Sequence, residues 1–325
     1  MKGLLAFVAT HGTWFLLAAV WLLFACMTDK FLTIPNLMNI GVQSSSTAIV
    51  ATGMTLVLLT GGVDLSLGSI MFVAAAVAGK LAMMGIPMYI TVPSILSVGL
   101  LCAAVNGLLI TRLMIVPFIA TLGTLYVGRG LGLWLTETRA MNLPEAYLQM
   151  GSASWLYIPI PIWILGTVLV VFQLTLTWTP FGRWVMAIGN NHESAMKAGI
   201  PTNQIIMIVY LLSGGLASVG AIVSLSQLGA VSPTFGENRE FTAIAAAVLG
   251  GTSLFGGRGT VFPGALLGAV LIQSVENGLV LINADPYFYP LVVSTIIFAA
   301  VLLDGGRTAV LQSLQRRKIF YQYDA

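Results

Sequence analysis

The sequence predicts an all-α polytopic membrane protein of about ten transmembrane helices, some of them broken or re-entrant at glycine-rich motifs. Three observations point there. Hydrophobic residues make up 58% of the chain and charged residues 8%, against about 25% charged in a soluble domain, and mean hydropathy is +0.95. Apolar runs of roughly twenty residues, each long enough to cross a bilayer, recur along the chain. Two of these runs are interrupted by glycine pairs, Gly61-Gly62 and Gly250-Gly251. The 325 residues are filled by such runs and short connections, so residues 1–325 read as one transmembrane domain.

The first run covers about Trp14 to Met27 and is followed by Asp29, Lys30 and an interfacial Thr33-Ile34-Pro35-Asn36. Leu23 to Cys26 resembles a lipoprotein cleavage site, but the following chain never turns polar, so this run is expected to stay as a span. Gly41–Thr60 is the second span. Ile70–Met84 is the third, with Lys80 free to snorkel near its end. Met88–Ile110 is the fourth, kinked at Pro93 and closed by Arg112. The fifth follows Pro117 to about Thr136 and carries Arg129 inside it. A polar connection, Glu137–Pro159, leads to the sixth span, Ile160–Trp178, and a second polar segment, Thr179–Asn203, to the seventh, Gln204–Val223. The run from Phe241 reaches Gly250-Gly251 after too few residues for a crossing; extended to Phe255 it makes a marginal eighth span. Thr260–Gly278 is the ninth, and Pro286 or Tyr287 to Leu303 the tenth, before Arg316, Arg317 and Lys318.

Positive charge sets the orientation. With both termini cytoplasmic, ten spans place Lys2, Arg112, Arg183, Lys197, Arg258, Arg307, Arg316, Arg317 and Lys318 inside, and Lys30, Arg139 and Arg239 in outside loops. Nine against three supports that arrangement. Cys26 and Cys102 lie in apolar runs and suggest neither a disulfide nor a metal framework.

The stretch GGVDLSLGS, Gly61 to Ser69, puts a diglycine and an aspartate where apolar residues would be expected. It reads in two ways. As a turn between two helices, Gly61 and Gly62 bend the chain and Asp64 or Ser66 caps the next helix. As a broken helix, it lines a solute path, since irregular backbone at membrane depth needs protein or a cavity around it. Gly61, Gly62, Leu65, Gly68 and Gly79 are echoed by Gly250, Gly251, Leu254, Gly257 and Gly268 at an offset of 189 residues. Gly-interrupted segments in corresponding halves are a pointer to a transport path.

Candidate chemistry is sparse. No Walker A pattern occurs, so this chain is not expected to hydrolyse ATP by that route. His11 and His192 stand apart from any cysteine or carboxylate cluster, so no catalytic residue, metal ligand or cofactor is assigned here. The ionisable groups at membrane depth are Asp64, Arg129 and Glu276, the last near Gln273 and Asn277 on one stripe. Asn106, Thr121 and Thr124 can join helices by hydrogen bonds, and Gly264 and Gly268 form a close-approach GxxxG pair. Amides and hydroxyls of this kind also suit a path for a neutral polyol. The substrate-path candidates are therefore Gly61, Gly62, Asp64, Ser66, Asn106, Thr121, Thr124, Gly250, Gly251 and Glu276.

In the second polar segment, Asn190 reads as an N-cap, Glu193 as its N3 partner, and Gly199 followed by Pro201 as a stop. A two-turn helix results, too short to stand alone in water. Ala195, Met196, Gly199 and Ile200 would give it a small apolar face for a groove on another protein or for lipid. Asn190, Asn191, Glu193, Ala195, Met196 and Gly199 are the coupling candidates.

GGVDLSLGS, PFIATLGTLYVGRGL from Pro117, AIGNNHESAMKAGI from Ala187 and AIAAAVLGGTSLFGGRGT from Ala243, in this order, resemble the permease subunits of bacterial ABC importers for ribose, xylose and related sugars. The likeness runs from Phe31 to about Gly305. It implies a permease subunit of the bacterial inner membrane, paired with an identical or paralogous permease chain and joined to a cytoplasmic ABC ATPase that binds ATP and Mg. A periplasmic sugar-binding protein would feed it. The segment Asn190 to Ile200 then matches the loop helix that docks on the ATPase, and the glycine motifs match parts flanking the pathway. Relatives often carry an acidic residue where Thr242 stands, so no charge-based role carries over to that position. The competing expectation is a self-contained ion-coupled transporter using Asp64 or Glu276. A membrane enzyme is not supported, and nothing suggests nucleic acid as a partner.

Overall fold

The computed structural model describes residues 2–296, 298 and 299, with side-chain surroundings from residue 12 onward. The chain is helical almost throughout: α1 (Lys2–Met27), α2 (Ile34–Leu59), α3 (Leu67–Met83), α4 (Met88–Thr111), α5 (Pro117–Thr136), α6 (Glu145–Ser152), α7 (Ile160–Trp178), α8 (Pro180–Asn190), α9 (His192–Lys197), α10 (Thr202–Leu228), α11 (Arg239–Leu249) and α12 (Leu266–Leu281). One wide turn, Val261–Ala265, precedes α12, and residues 288–296 are helical again. Proline at the first turn starts α2, α5, α7 and α8, where its missing N–H costs nothing.

Helix α2 is the central post. Every residue from Ser44 to Leu59 is buried, because α10, α11, α12 and α7 surround it. Small residues let these helices approach closely: Ser46 Oγ donates to the Gly220 carbonyl at 2.9 Å, and a Cβ on Gly53 would stand 3.1 Å from the Ser213 backbone. In a membrane, where lipid is as apolar as leucine, such packing and interhelical hydrogen bonds hold a bundle together. Outward-facing residues of α4, α5 and α7, such as Leu101, Val127 and Val170, are exposed and apolar.

Helices alternate between two ends of the bundle. One end carries α8 and α9; the other carries α6 and two short antiparallel pairs. There β1 (Met141–Asn142) pairs with β4 (Ala230–Val231), and β2 (Ser154–Trp155) with β3 (Ile158–Pro159). At the α6 end Thr91 and Tyr147 share a short hydroxyl hydrogen bond. Lys80 Nζ meets Glu137 Oε1 there at 3.0 Å, and this pairing holds the Glu137 carboxyl below the usual range.

Several expectations shift. Among the described residues six helices are long and apolar enough to cross a membrane, while residues Gly12–Met27 of α1 and all of α3 are shorter apolar helices. The marginal eighth span does not reach Phe255: α11 ends at Leu249 and residues 250–260 are irregular. Arg239, expected in an outside loop, lies inside the bundle, its Nη1 donating to Thr47 Oγ1 at 3.0 Å, halfway along α2. Of the tenth span, residues 288–296 are seen as helix; its end and Arg307, Arg316, Arg317 and Lys318 lie outside the described residues, as does the side chain of His11. Among the described residues no group of three metal-ligating side chains forms, and both cysteines are free.

Candidate functional site

Five of the ten path candidates fold into one hydrogen-bonded network under GGVDLSLGS. After α2 the chain turns at Gly61, whose φ is 78°, and runs extended to Asp64, which is 1% exposed. Asp64 Oδ1 accepts from the Ser66 N–H at 3.0 Å and from Ser66 Oγ at 2.5 Å, and its Oδ2 accepts from Ser213 Oγ of α10 at 3.3 Å. Asn106 Nδ2 of α4 donates to Ser66 Oγ at 2.7 Å. Its Oδ1 accepts from Thr124 Oγ1 of α5, also at 2.7 Å. Thr121 Oγ1 donates to Pro117 O at 2.9 Å and reaches Val63 O at 3.3 Å. Tyr210 Oη donates to the same carbonyl at 3.3 Å. The network ties the start of α3 to α4, α5 and α10. Asp64 therefore does what an aspartate ahead of a helix does, accepting from the backbone two residues on, and it also anchors the neighbouring helices.

The other candidates lie elsewhere. Gly250 and Gly251 turn the chain after α11, Gly251 at φ 92°, and a Cβ on Gly250 would overlap the Gly264 backbone. Gly268 abuts the Ala246 carbonyl in the same way, so the GxxxG pair serves the α11–α12 contact. Glu276 is half-buried and within electrostatic reach of Arg239. Its stripe partners face α2: Gln273 Nε2 donates to Gln43 Oε1 at 2.7 Å, and Asn277 and Asn36 exchange amide hydrogen bonds at 2.9 and 3.0 Å.

The two glycine motifs related by the 189-residue offset touch each other. Both sit at the α9 end, and the Gly257 N–H donates to Leu59 O at 3.0 Å. Gly189 of α8 fits between them: a Cβ there would overlap Leu59 O and come within 2.5 Å of Gly257 N. A Cβ on Gly256 would stand 3.0 Å from Gly61 N. Three backbone segments thus meet with no side chain between them, and the meeting point leads straight into α9. Sequence reading had the motifs on either side but missed Gly189 and Gly257 as contact residues; AIGNN and FGGRG carried the glycines without saying what they would meet.

Helix α9 departs from expectation in two details. Its N-cap is Asn191, whose Oδ1 accepts from Ser194 N at 2.8 Å; Asn190 is the last residue of α8 and donates back to Met186 O at 3.0 Å. The cap moves by one residue because α8 runs on through Gly189. Ala195 is 4% exposed and packs inward, since α9 lies back against α8 and α10. The outward face is Met196, 56% exposed, with Glu193 and Lys197 paired at 2.6 Å. Gly199 closes the helix at φ 82°.

Residues 36–303 match the family model described as branched-chain amino acid transport system / permease component. The chain belongs to this permease family. Among known permeases it is 37% identical over 286 residues to the ribose import permease protein RbsC of Escherichia coli K12, covering 86% of this chain and 89% of that one. It is 34% identical to RbsC of Haemophilus influenzae over 86% and 88% of the two chains, and 32% identical to the L-arabinose transport system permease protein AraH of E. coli K12 over 90% of both. No solved structure matches the permease.

Proposed function

We propose that the chain is the membrane-spanning subunit of an ATP-driven importer that moves a monosaccharide or similar small polyol inward across the bacterial inner membrane. The observation that carries it is the backbone joint of Leu59, Gly189 and Gly257, which connects an exposed loop helix to both glycine-interrupted segments inside a permease of this family. A cytoplasmic ABC ATPase that binds ATP and Mg docks on α9 through Met196, Glu193 and Lys197. A second permease chain, identical or paralogous, completes the path, and a periplasmic sugar-binding protein delivers the solute. Family membership and sugar-named relatives favour this reading over an ion-coupled transporter. The chain makes about ten passes, α1, α3 and the half-length α11 among them, with the α9 end and both termini cytoplasmic.

The test is uptake of labelled aldopentoses into liposomes holding this chain with its ATPase, fed by the binding protein. Uptake should require ATP. A proton gradient driving uptake by this chain alone would overturn the proposal. Glu193→Ala combined with Gly199→Pro should leave the protein in the membrane and abolish coupling, because proline cannot adopt the positive φ of Gly199.

A further inference from the structure

Between α10 and α11 the chain leaves helical geometry at Gly229 and descends into the bundle. Two arginines pin it. Arg129 Nη1 of α5 donates to Phe235 O at 2.7 Å, and Arg239 holds Thr47. Gly236, at φ 70°, lies backbone to backbone on Gly68 at the start of α3: a Cβ on either glycine would overlap the other's carbonyl. A Cβ on Gly68 would also strike Glu240 Oε2 and stand 3.3 Å from Arg129 Nη2, so the carboxylate and the guanidinium flank one point.

They do not close on each other. Glu240 is 4% exposed, yet among the described residues its Oε2 has no hydrogen-bond partner, and neither has the buried Arg129 Nη2. Their separation exceeds the 4.0 Å of an ion pair. Buried opposite charges left apart are costly unless something satisfies both. The Phe235 carbonyl and the Phe72 ring, 5.5 Å beneath the guanidinium, hold Arg129 in place. Beside them opens a cavity of about 210 Å³ lined by Met71, Ser224, Ser232, Thr234, Glu237 and Arg239, with Phe235 and Gly236 common to both features. Drug-sized ligands occupy roughly 300–1,000 Å³, so this space suits a single small ring, and its lining offers hydroxyls, a carboxylate and a guanidinium.

We propose that this is a polyol subsite on the translocation path, in which the ring occupies the cavity and, as the Phe235–Gly236 wall yields, one ligand hydroxyl accepts from Arg129 Nη2 and donates to Glu240 Oε2, both closed off from that cavity in this structure. The inference rests on the polyol-importer reading above and moves the solute contact from the Asp64 network to the descending segment. A hydroxyl can come from sugar or from water, and the experiment separates them. Ser232→Cys in a Cys26→Ala, Cys102→Ser background, purified in detergent, is alkylated with maleimide in the presence of D-ribose, D-xylose or L-arabinose. One of these should slow the reaction about threefold at twice its Kd. Glu240→Gln and Arg129→Gln should remove that protection and raise the uptake KM about tenfold, the scale of one hydrogen bond to a charged group. If both variants keep protection and KM and lose only melting temperature, water fills the gap and the proposal is overturned. Absence of protection by any of the three sugars, with ATP-driven uptake intact, overturns the subsite and leaves the importer reading standing; protection without ATP-driven uptake does the reverse. Should the charge variants fail to insert, Ser224→Ala with Thr234→Ala in the cavity wall should weaken protection several-fold, and unchanged protection there overturns the subsite.

Discussion

A buried carboxylate that accepts three hydrogen bonds behaves differently under amide and hydrocarbon replacement, and Asp64 offers that contrast. Asparagine can still accept from Ser66 and can donate to Ser213, so Asp64→Asn should keep membrane yield and uptake. Leucine would leave the Ser66 and Ser213 donors unsatisfied, at about 1–3 kcal/mol for each buried group, so Asp64→Leu should lose assembly, read as yield and as detergent melting temperature. Loss of uptake in Asp64→Asn with assembly intact would instead put Asp64 on the solute path. Gly68 gives the steric counterpart. A single methyl there would collide with the Gly236 carbonyl and Glu240, and overpacking of this kind costs about 1–3 kcal/mol. Gly68→Ala should lower the melting temperature and push the descending segment away from Arg129; an unchanged melting temperature would mean that the contact yields freely.

At the scale of elements the joint is the sharpest test. Gly189 lies against Leu59 O and Gly257 N without room for a Cβ, so Gly189→Val should part α8 from α2 and the 250–260 loop while sparing the interior network. The expected result is ATP hydrolysis by the assembled importer with sugar uptake reduced at least tenfold, the mark of a coupling defect of about 1.4 kcal/mol or more; equal losses of both would show that the importer failed to assemble. The two sides of this joint were legible in the sequence because glycine pairs inside apolar runs have few explanations. Their contact was not, because it joins segments 68 and 130 residues apart, as Gly257 to Gly189 and Gly189 to Leu59, through backbone atoms that every residue shares. The same limit explains Arg239, whose charge suggested a loop until the chain was seen to descend beside α2. It explains Ala195 too: an apolar residue on a short helix reads alike whether it faces a partner or its own bundle.

For the whole molecule, the class was plain from composition, whereas the crossings had to be counted through helices of unequal length. At about 1.5 Å per residue, the 11 residues of α11 rise about 16 Å, half of a hydrocarbon core of about 30 Å. For α11 to belong to a full crossing, the descending segment before it would have to supply the other half; that segment is built of turns rather than α-helix, with Arg129 bonded to its Phe235 carbonyl and Thr47 to Arg239 at its end. This division makes a prediction about topology that span counting alone does not. In a Cys26→Ala, Cys102→Ser background, Tyr157→Cys, at a position 96% exposed near the α6 end, should react with an impermeant maleimide added outside intact cells. His192→Cys on α9 should react only after permeabilisation. Phe255→Cys, in the loop after α11 and 71% exposed, decides the matter. If the descending segment and α11 together make one full crossing, Phe255→Cys behaves like His192→Cys. Labelling of Phe255→Cys from outside would mean that the chain turns back before crossing, and both the ten-pass arrangement and the cytoplasmic position of the glycine joint would fall with it.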